Sequence, residues 1–352
     1  KNSGFFLLMF KNCFFLSLLS MALVAGFFVP VSAQSPYPQN YFGSPLDIPL
    51  YLSGTFGELR TDHFHSGIDI RTGEVEGLKV YAVAEGYISR IKVSAGGYGK
   101  ALYITHPNGY VSVYAHLQKF EGKIASFVYS EQYRRESFEV DLYPDAGKLT
   151  IAKGEVIGLS GDSGGSGGPH LHFEIRDAGN EKPINPLLFG YAVTDVTPPV
   201  INLIKACPAD KKCLIKNKNR ELELAISGSN GKYYLSGRDT IDISGNAYFS
   251  INTIDLFNKG NNKNGVYSIR LEMDTIVVFE QVMETFSYDE TRYINSLIDY
   301  PDLVSKNRRM QKSYVQPNNR LSIYKNLKNK GIISFHDDAI HSVKYLVSDA
   351  AG

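Results

Sequence analysis

The sequence predicts a mainly β protein. An antiparallel β-sheet domain spans residues 34–192, a linker 193–199, and a β-sandwich domain 200–352. Three observations carry this. Short apolar and β-branched runs alternate with Gly, Pro and Asn turns over residues 45–185. No long amphipathic helical period appears there. Beyond Thr194-Asp-Val-Thr-Pro-Pro199 the composition shifts toward Asn, Lys and Ile. The length of 352 residues suits two domains of roughly 100–200 residues each.

Each element has its own signal. Strands at 78–83 and 87–93 flank the Glu85-Gly86 turn. Strands at 100–105 and 110–116 flank Pro107-Asn108-Gly109, where Asn-Gly accepts positive φ. Strands at 156–159 and 170–176 are separated by a glycine-rich loop that contains Gly164 and Gly165. Residues 118–149 carry charges and tyrosines and read as an insertion with one short helix. In the second domain Tyr267, Ile269, Leu271 and Met273 alternate onto one strand face, and residues 276–279, 331–335 and 343–347 add strands. A helical patch covers 289–298. Turn-rich strand spacing of this kind suggests an immunoglobulin-like sandwich.

Composition limits the function. A content of 43% hydrophobic and 21% charged residues excludes a disordered, collagen-like or polytopic membrane chain. A formal charge of +1 argues against nucleic acid as a partner. Lys1 and Lys11 flank a run that is nearly all apolar over 13–31 and ends in Val31-Ser32-Ala33. This predicts a secretory signal peptide over residues 1–33, with an uncleaved anchor as the alternative. The mature chain is then exported to the periplasm, cell envelope or extracellular space, with no membrane association after cleavage. Lys1 and Gly352 read as cut ends of a longer product. In an oxidising compartment Cys207 and Cys213 form either a loop staple or two free thiols.

Six of the eight histidines fall between His63 and His172, and the chemistry concentrates there. His65 and Asp69, four residues apart, offer an imidazole and a carboxylate suited to zinc. His170 and His172 sit at i and i+2 of a strand, so they share one face, while Leu171, Phe173 and Ile175 take the other. His116 lies between these places near a strand end. Three protein ligands plus an open water position make a catalytic zinc site, and hydrolysis there also uses a base and a stabiliser. His106, His336 and His341 read as ordinary polar residues.

His65-Ser-Gly-Ile-Asp69, Tyr114-Ala-His116-Leu117 and Gly168-Pro-His170-Leu-His172-Phe-Glu174 resemble the signature of the LytM/lysostaphin-type zinc metallopeptidases. The resemblance covers about residues 50–190, with the long 118–149 insertion as its departure. It implies that His65, Asp69 and His172 bind one zinc ion and that His116 and His170 are catalytic. The implied substrate is the peptide cross-link of bacterial peptidoglycan. His63 and the Gly164-Gly165 pair are candidates for lining the substrate groove, where near-absence of side chains permits close approach. The alternative reading is a non-catalytic or latent module that binds wall or activates an amidase. The second domain is expected to position the enzyme or to contact a protein partner.

Overall fold

The computed structural model describes residues 35–193, 195–237, 240–257 and 262–350. The expected signal peptide lies outside them. Among the described residues no helix is long and apolar enough to cross a membrane. Tyr37–Gly352 forms one compact unit, and among the described residues every strand pairing in it is antiparallel.

The first half contains β1 (Leu52–Gly54), β2 (Ile68–Arg71), β3 (Lys79–Tyr81), β4 (Gly86–Val93), β5 (Lys100–Thr105), β6 (Tyr110–Ala115), β7 (Lys119–Phe120), α1 (Gly122–Arg134), β8 (Val140–Leu142), β9 (Thr150–Ile151), β10 (Val156–Leu159), β11 (His170–Asp177) and β12 (Pro183–Ile184). The main sheet runs β1-β2-β11-β6-β5-β4-β8, with β12 on β11 and β9 on β4. A second sheet, β3-β10-β7, covers one face. Their shared core holds Ile68, Ile70, Val80, Leu102, Ile104, Ile157, Leu171, Phe173 and Ile175. The period-2 pattern of β11 therefore does what its sequence dictates: Leu171, Phe173 and Ile175 go inward, each fully buried.

The insertion is built into this framework. Helix α1 buries Ile124 and Val128 in the core, β8 extends the sheet beyond β4, and the chain leaves the insertion into β9, which also pairs with β4. The insertion therefore joins the edge opposite β2 and β11, with β5 and β4 separating β8 from β6.

In the second half, Val200–Pro208, Ile243–Ile254, Leu222–Leu224 and shorter strands make one sheet, and Ser268–Met273, Ile276–Val282, Tyr324–Leu327 and Val343–Ser348 make another. Ala206, Ala247 and Phe249 from the first meet Leu271, Val278 and Phe279 from the second in a common core. The expected helical patch is a 3-10 turn, Tyr288–Tyr293, running into a helical turn, Ile294–Leu297. Cys207 and Cys213 are both buried and free, so of the two sequence alternatives the thiols hold and the staple does not. A third apolar cluster joins the halves: Phe56 and Phe64 pack with Met283, Phe286, Ile294 and Leu297. Phe56 stacks on Phe286 with ring centroids 4.9 Å apart.

Candidate active site

Strands β2 and β11 are neighbours, and their register sets Asp69 directly opposite His172. On its other side β11 pairs with β6, where His172 faces Ala115, the residue before His116. Three separate sequence segments are thus brought to one spot by backbone pairing alone. Gly67 makes the approach possible, since a Cβ there would sit 2.4 Å from the Phe173 carbonyl oxygen.

At that spot three ligand-type atoms converge. His65 Nε2 is 3.0 Å from Asp69 Oδ1 and 3.0 Å from His172 Nδ1, and His172 Nδ1 is 2.9 Å from the same carboxylate oxygen. All three residues are buried. The remaining imidazole nitrogens are committed elsewhere. His65 Nδ1–H donates to the Thr55 carbonyl at 2.8 Å, and His172 Nε2–H donates to Glu174 Oε1 at 2.8 Å. With those nitrogens committed, His65 Nε2 and His172 Nδ1 are the ring positions that point at one place. Arg60 donates to the second oxygen of Asp69 at 3.0 Å, leaving Oδ1 for the pair.

His116 and His170 stand beside this group. The chain leaves β6 with His116 in the left-handed region, φ +57°, a conformation costing a non-glycine residue about 1–2 kcal/mol. The turn sets its ring 4.8 Å from that of His170, tilted to it by 51°, and its Nδ1–H donates to the Ser163 carbonyl at 2.8 Å. His170 Nδ1–H donates to the Gly168 carbonyl at 2.8 Å, and its Nε2 is 3.5 Å from Asp69 Oδ1. His116 therefore keeps Nε2 as its free basic position, whereas His170 Nε2 faces the Asp69 carboxylate. Burial would lower the His170 imidazole, but that carboxylate raises it.

The electrostatics follow from burial and neighbours. Burial would raise Asp69, but His65, His170 and His172 hold it well below the usual carboxylate range. Burial would lower His172, but Asp69 and Glu174 outweigh it and push the imidazole up to about 9. His116 moves the other way. Burial depresses it to about 4, only partly offset by the Ser163 carbonyl, so it is neutral at pH 7.

Behind the histidines lies a network that the sequence reading did not assign. Glu174 is fully buried and accepts from His172, Ser66 (2.7 Å), Arg176 (2.6 Å), Tyr98 and Tyr288 (3.2 Å). Arg176 first, then His172, overrides the burial penalty and keeps Glu174 strongly ionised. The tilted Tyr98 ring lies 5.1 Å from His172. The i, i+2 spacing of His172, Glu174 and Arg176 was a legible signal that all three share one strand face. Nothing in the sequence pointed to Tyr288, more than a hundred residues away.

Three candidate groove residues stand apart from the cluster. His63 is exposed and paired with Asp62 at 2.7 Å. Gly164, at φ +80°, packs so closely on the 96–99 turn that a Cβ would meet Gly99 N at 2.3 Å. Gly165 N donates to the Gly97 carbonyl at 2.7 Å. Loop packing therefore accounts for glycine at position 164, whereas at 165 a side chain would meet only ordinary contacts. His106 bridges the Glu85 carbonyl and Ser112 inside the protein, and His341 pairs with Asp274 and Asp337, both as ordinary polar residues.

The segment that carries this cluster is similar in sequence to known proteins. The model of "Peptidase family M23" matches residues 63–133 and 146–186, the stretch that supplies His65, Asp69, His116, His170 and His172. The DD-carboxypeptidase/endopeptidase Mpg of Neisseria meningitidis serogroup B is 34% identical over 139 residues, covering 40% of this chain and 26% of that protein. The cell division protein DipM of Caulobacter vibrioides is 27% identical over 141 residues, covering 39% of this chain and 19% of that one. The chain thus spans about a quarter or less of the length of these curated relatives. Among solved structures, the catalytic domain of a mutant prophage-encoded M23 protein EnpA from Enterococcus faecalis is 25% identical, with a TM-score of 0.30, covering 44% of this chain and 98% of that one. The catalytic domain of lysostaphin from Staphylococcus simulans is 23% identical, with a TM-score of 0.27, covering 38% and 87%. Residues 63–133 and 146–186, which carry the His65, Asp69, His116, His170 and His172 cluster, are thus similar to peptidase family M23, the family that the LytM/lysostaphin-type signature pointed to.

Proposed function

We propose that this chain is an exported zinc metalloendopeptidase that hydrolyses the peptide cross-links of bacterial peptidoglycan. The observation that carries the proposal is the convergence of His65 Nε2, Asp69 Oδ1 and His172 Nδ1, with the other ring nitrogens already tied down. The fit to zinc is close. Tetrahedral ligands at about 2.0–2.1 Å from zinc stand about 3.3 Å from one another, and these three atoms are 2.9–3.0 Å apart. An opening of a few tenths of an ångström suffices, and two imidazoles with one carboxylate are a ligand set found at catalytic zinc.

Zinc held there supplies Lewis acidity toward the scissile carbonyl and a water-derived nucleophile at neutral pH. The protein residues supply the rest. Thr55 and Glu174 orient the two imidazole ligands, and Arg60 orients Asp69. His116 and His170, each with Nδ1–H given to a backbone carbonyl, present Nε2 to accept the proton of the attacking water and return it to the leaving amine. Acid–base help of this kind is typically worth 10²–10⁴-fold. We further propose 193–199 as the boundary between the peptidase domain and a second, partner-contacting or positioning domain.

The test is digestion of purified sacculi by the zinc-loaded chain and by His170→Ala. The proposal expects soluble muropeptides from the first and a loss of at least 10²-fold in the second, with zinc content unchanged. Equal release by both, or purification without bound zinc, overturns it.

A further inference from the structure

A second group of ligand-type side chains lies in the other half of the molecule. Asp195 from the 193–199 segment, Asp255 just past the strand Ile243–Ile254, and Asp349 just past Val343–Ser348 bring carboxylate oxygens within 4.8 Å of one another. An acidic cluster alone says little, since surface carboxylates gather without purpose. Here the central member is not at the surface: Asp255 is 1% exposed, and neither of its carboxylate oxygens has a well-formed hydrogen-bond partner among the described residues. Burial, then Asp195 and Asp349, push its carboxyl up to about 7, with the Leu256 amide offsetting only part.

Asn264 is the independent observation. It is 2% exposed, and neither its side-chain carbonyl nor its amide nitrogen has a partner among the described residues. It forms a direct antiparallel bridge with Asp255, with both backbone bonds made, at 3.0 and 2.9 Å. Directly opposed residues of an antiparallel pair carry their side chains on the same face, with Cβ atoms about 4.5–5.5 Å apart. The Asn264 and Asp255 side chains therefore leave the backbone on the same face. Buried polar groups are almost always satisfied, so two unsatisfied side chains at one place call for a ligand.

We propose that Asp195, Asp255, Asp349 and the Asn264 side-chain carbonyl form a calcium site. The donors are all oxygen, which selects a hard cation over zinc. Calcium takes six to eight oxygens at about 2.3–2.6 Å in adaptable geometry, so opposed donors stand up to about 5 Å apart; magnesium demands a tighter octahedron and keeps its waters. A site assembled from three chain segments, carrying three carboxylates, suits calcium. Its position gives it a structural task. Asn264 precedes Gly265, whose N–H and carbonyl both bond the Thr55 hydroxyl at 3.0 Å. Thr55 is the residue whose carbonyl orients His65. The inference itself does not rest on the peptidase reading.

The experiment is calorimetric titration of the zinc-loaded chain with calcium chloride or magnesium chloride in chelator-treated buffer, with melting curves alongside. The expected result is one calcium per chain with Kd on the order of 10⁻⁴–10⁻³ M, as in extracellular calcium modules, tighter than magnesium, and a melting temperature that rises with calcium. Asp255→Asn should weaken calcium at least tenfold and yet melt higher than the parent in calcium-free buffer, because like-charge repulsion is relieved. Asp349→Asn, at a less buried position, should weaken calcium comparably and keep the fold. Absence of calcium binding up to roughly 10 mM, about tenfold above the weakest such modules, overturns the proposal. So does tighter binding of magnesium, or unchanged calcium affinity in both variants.

Discussion

The two ligand clusters of this molecule are built on opposite principles. At His65, Asp69 and His172 each donor has a second partner behind it: Thr55, Arg60 and Glu174 respectively. At Asp255 and Asn264 the side chains are buried as deeply but stand without such support among the described residues. The first site is preorganised by the protein, so a cation completes it. The second is frustrated by like charge, so a cation is what relieves it. Preorganisation spreads outward through the fold, and it is why the first cluster is tied to Tyr288 in the other half of the chain.

The comparison can be broken most sharply at the preorganised ligands. Asp69→Ala or His172→Ala should abolish both bound zinc and release of muropeptides from sacculi, as read by metal analysis and chromatography. Retention of either would detach the chemistry from this cluster. Next in size, His116→Ala should cost about 10²–10⁴-fold in kcat while zinc stays bound. A loss confined to KM would make His116 a binding residue.

The supporting layer comes third. Glu174→Gln should weaken zinc by about 10–100-fold, the usual effect of removing an orienting partner. It also leaves Arg176 buried without its counter-ion, so stability falls too. Tyr288→Phe isolates the link between the halves more gently. It removes one hydrogen bond, worth about 0.5–1.5 kcal/mol net, and should lower the melting temperature slightly with a small drop in zinc affinity. No change in either would confine Tyr288 to packing against Arg176.

The smallest effect concerns acid. His116 is depressed from 6.5 to about 4 by burial, so the folded state resists taking up a proton that the unfolded chain accepts. Its contribution to stability is intact above about pH 6.5 and is lost as pH falls from there through about 4. Urea midpoints of the parent and His116→Gln, compared across that window, should converge toward the acid end if His116 is what titrates.

The first site was legible in sequence because its information is local and periodic. His-x-x-x-Asp, His-x-His and the alternation of Leu171, Phe173 and Ile175 specify which face of β11 carries chemistry, and the β2–β11 register supplied the rest. The strand limits agree at 100–105 and 156–159, and differ where a turn decides. The strand expected to run to His116 stops at Ala115, because His116 takes positive φ. What sequence could not show was long-range. Tyr288 reaches Glu174, Phe286 reaches Phe56, and Asp195, Asp255 and Asp349 meet only after two sheets have packed. No periodicity records those meetings. The small size of the 161–168 loop glycines suggested room for a substrate, and the structure adds a packing reason for one of them, Gly164 on the 96–99 turn.

The central claim is that two imidazoles and one carboxylate hold a catalytic zinc. X-ray absorption at the zinc edge on the purified chain tests it most directly. The account predicts one zinc per chain, with two imidazole nitrogens and carboxylate or water oxygen at about 2.0–2.2 Å, and loss of that shell in His172→Ala. A sulfur-containing shell, an oxygen-only shell, or a spectrum unchanged by His172→Ala would contradict it.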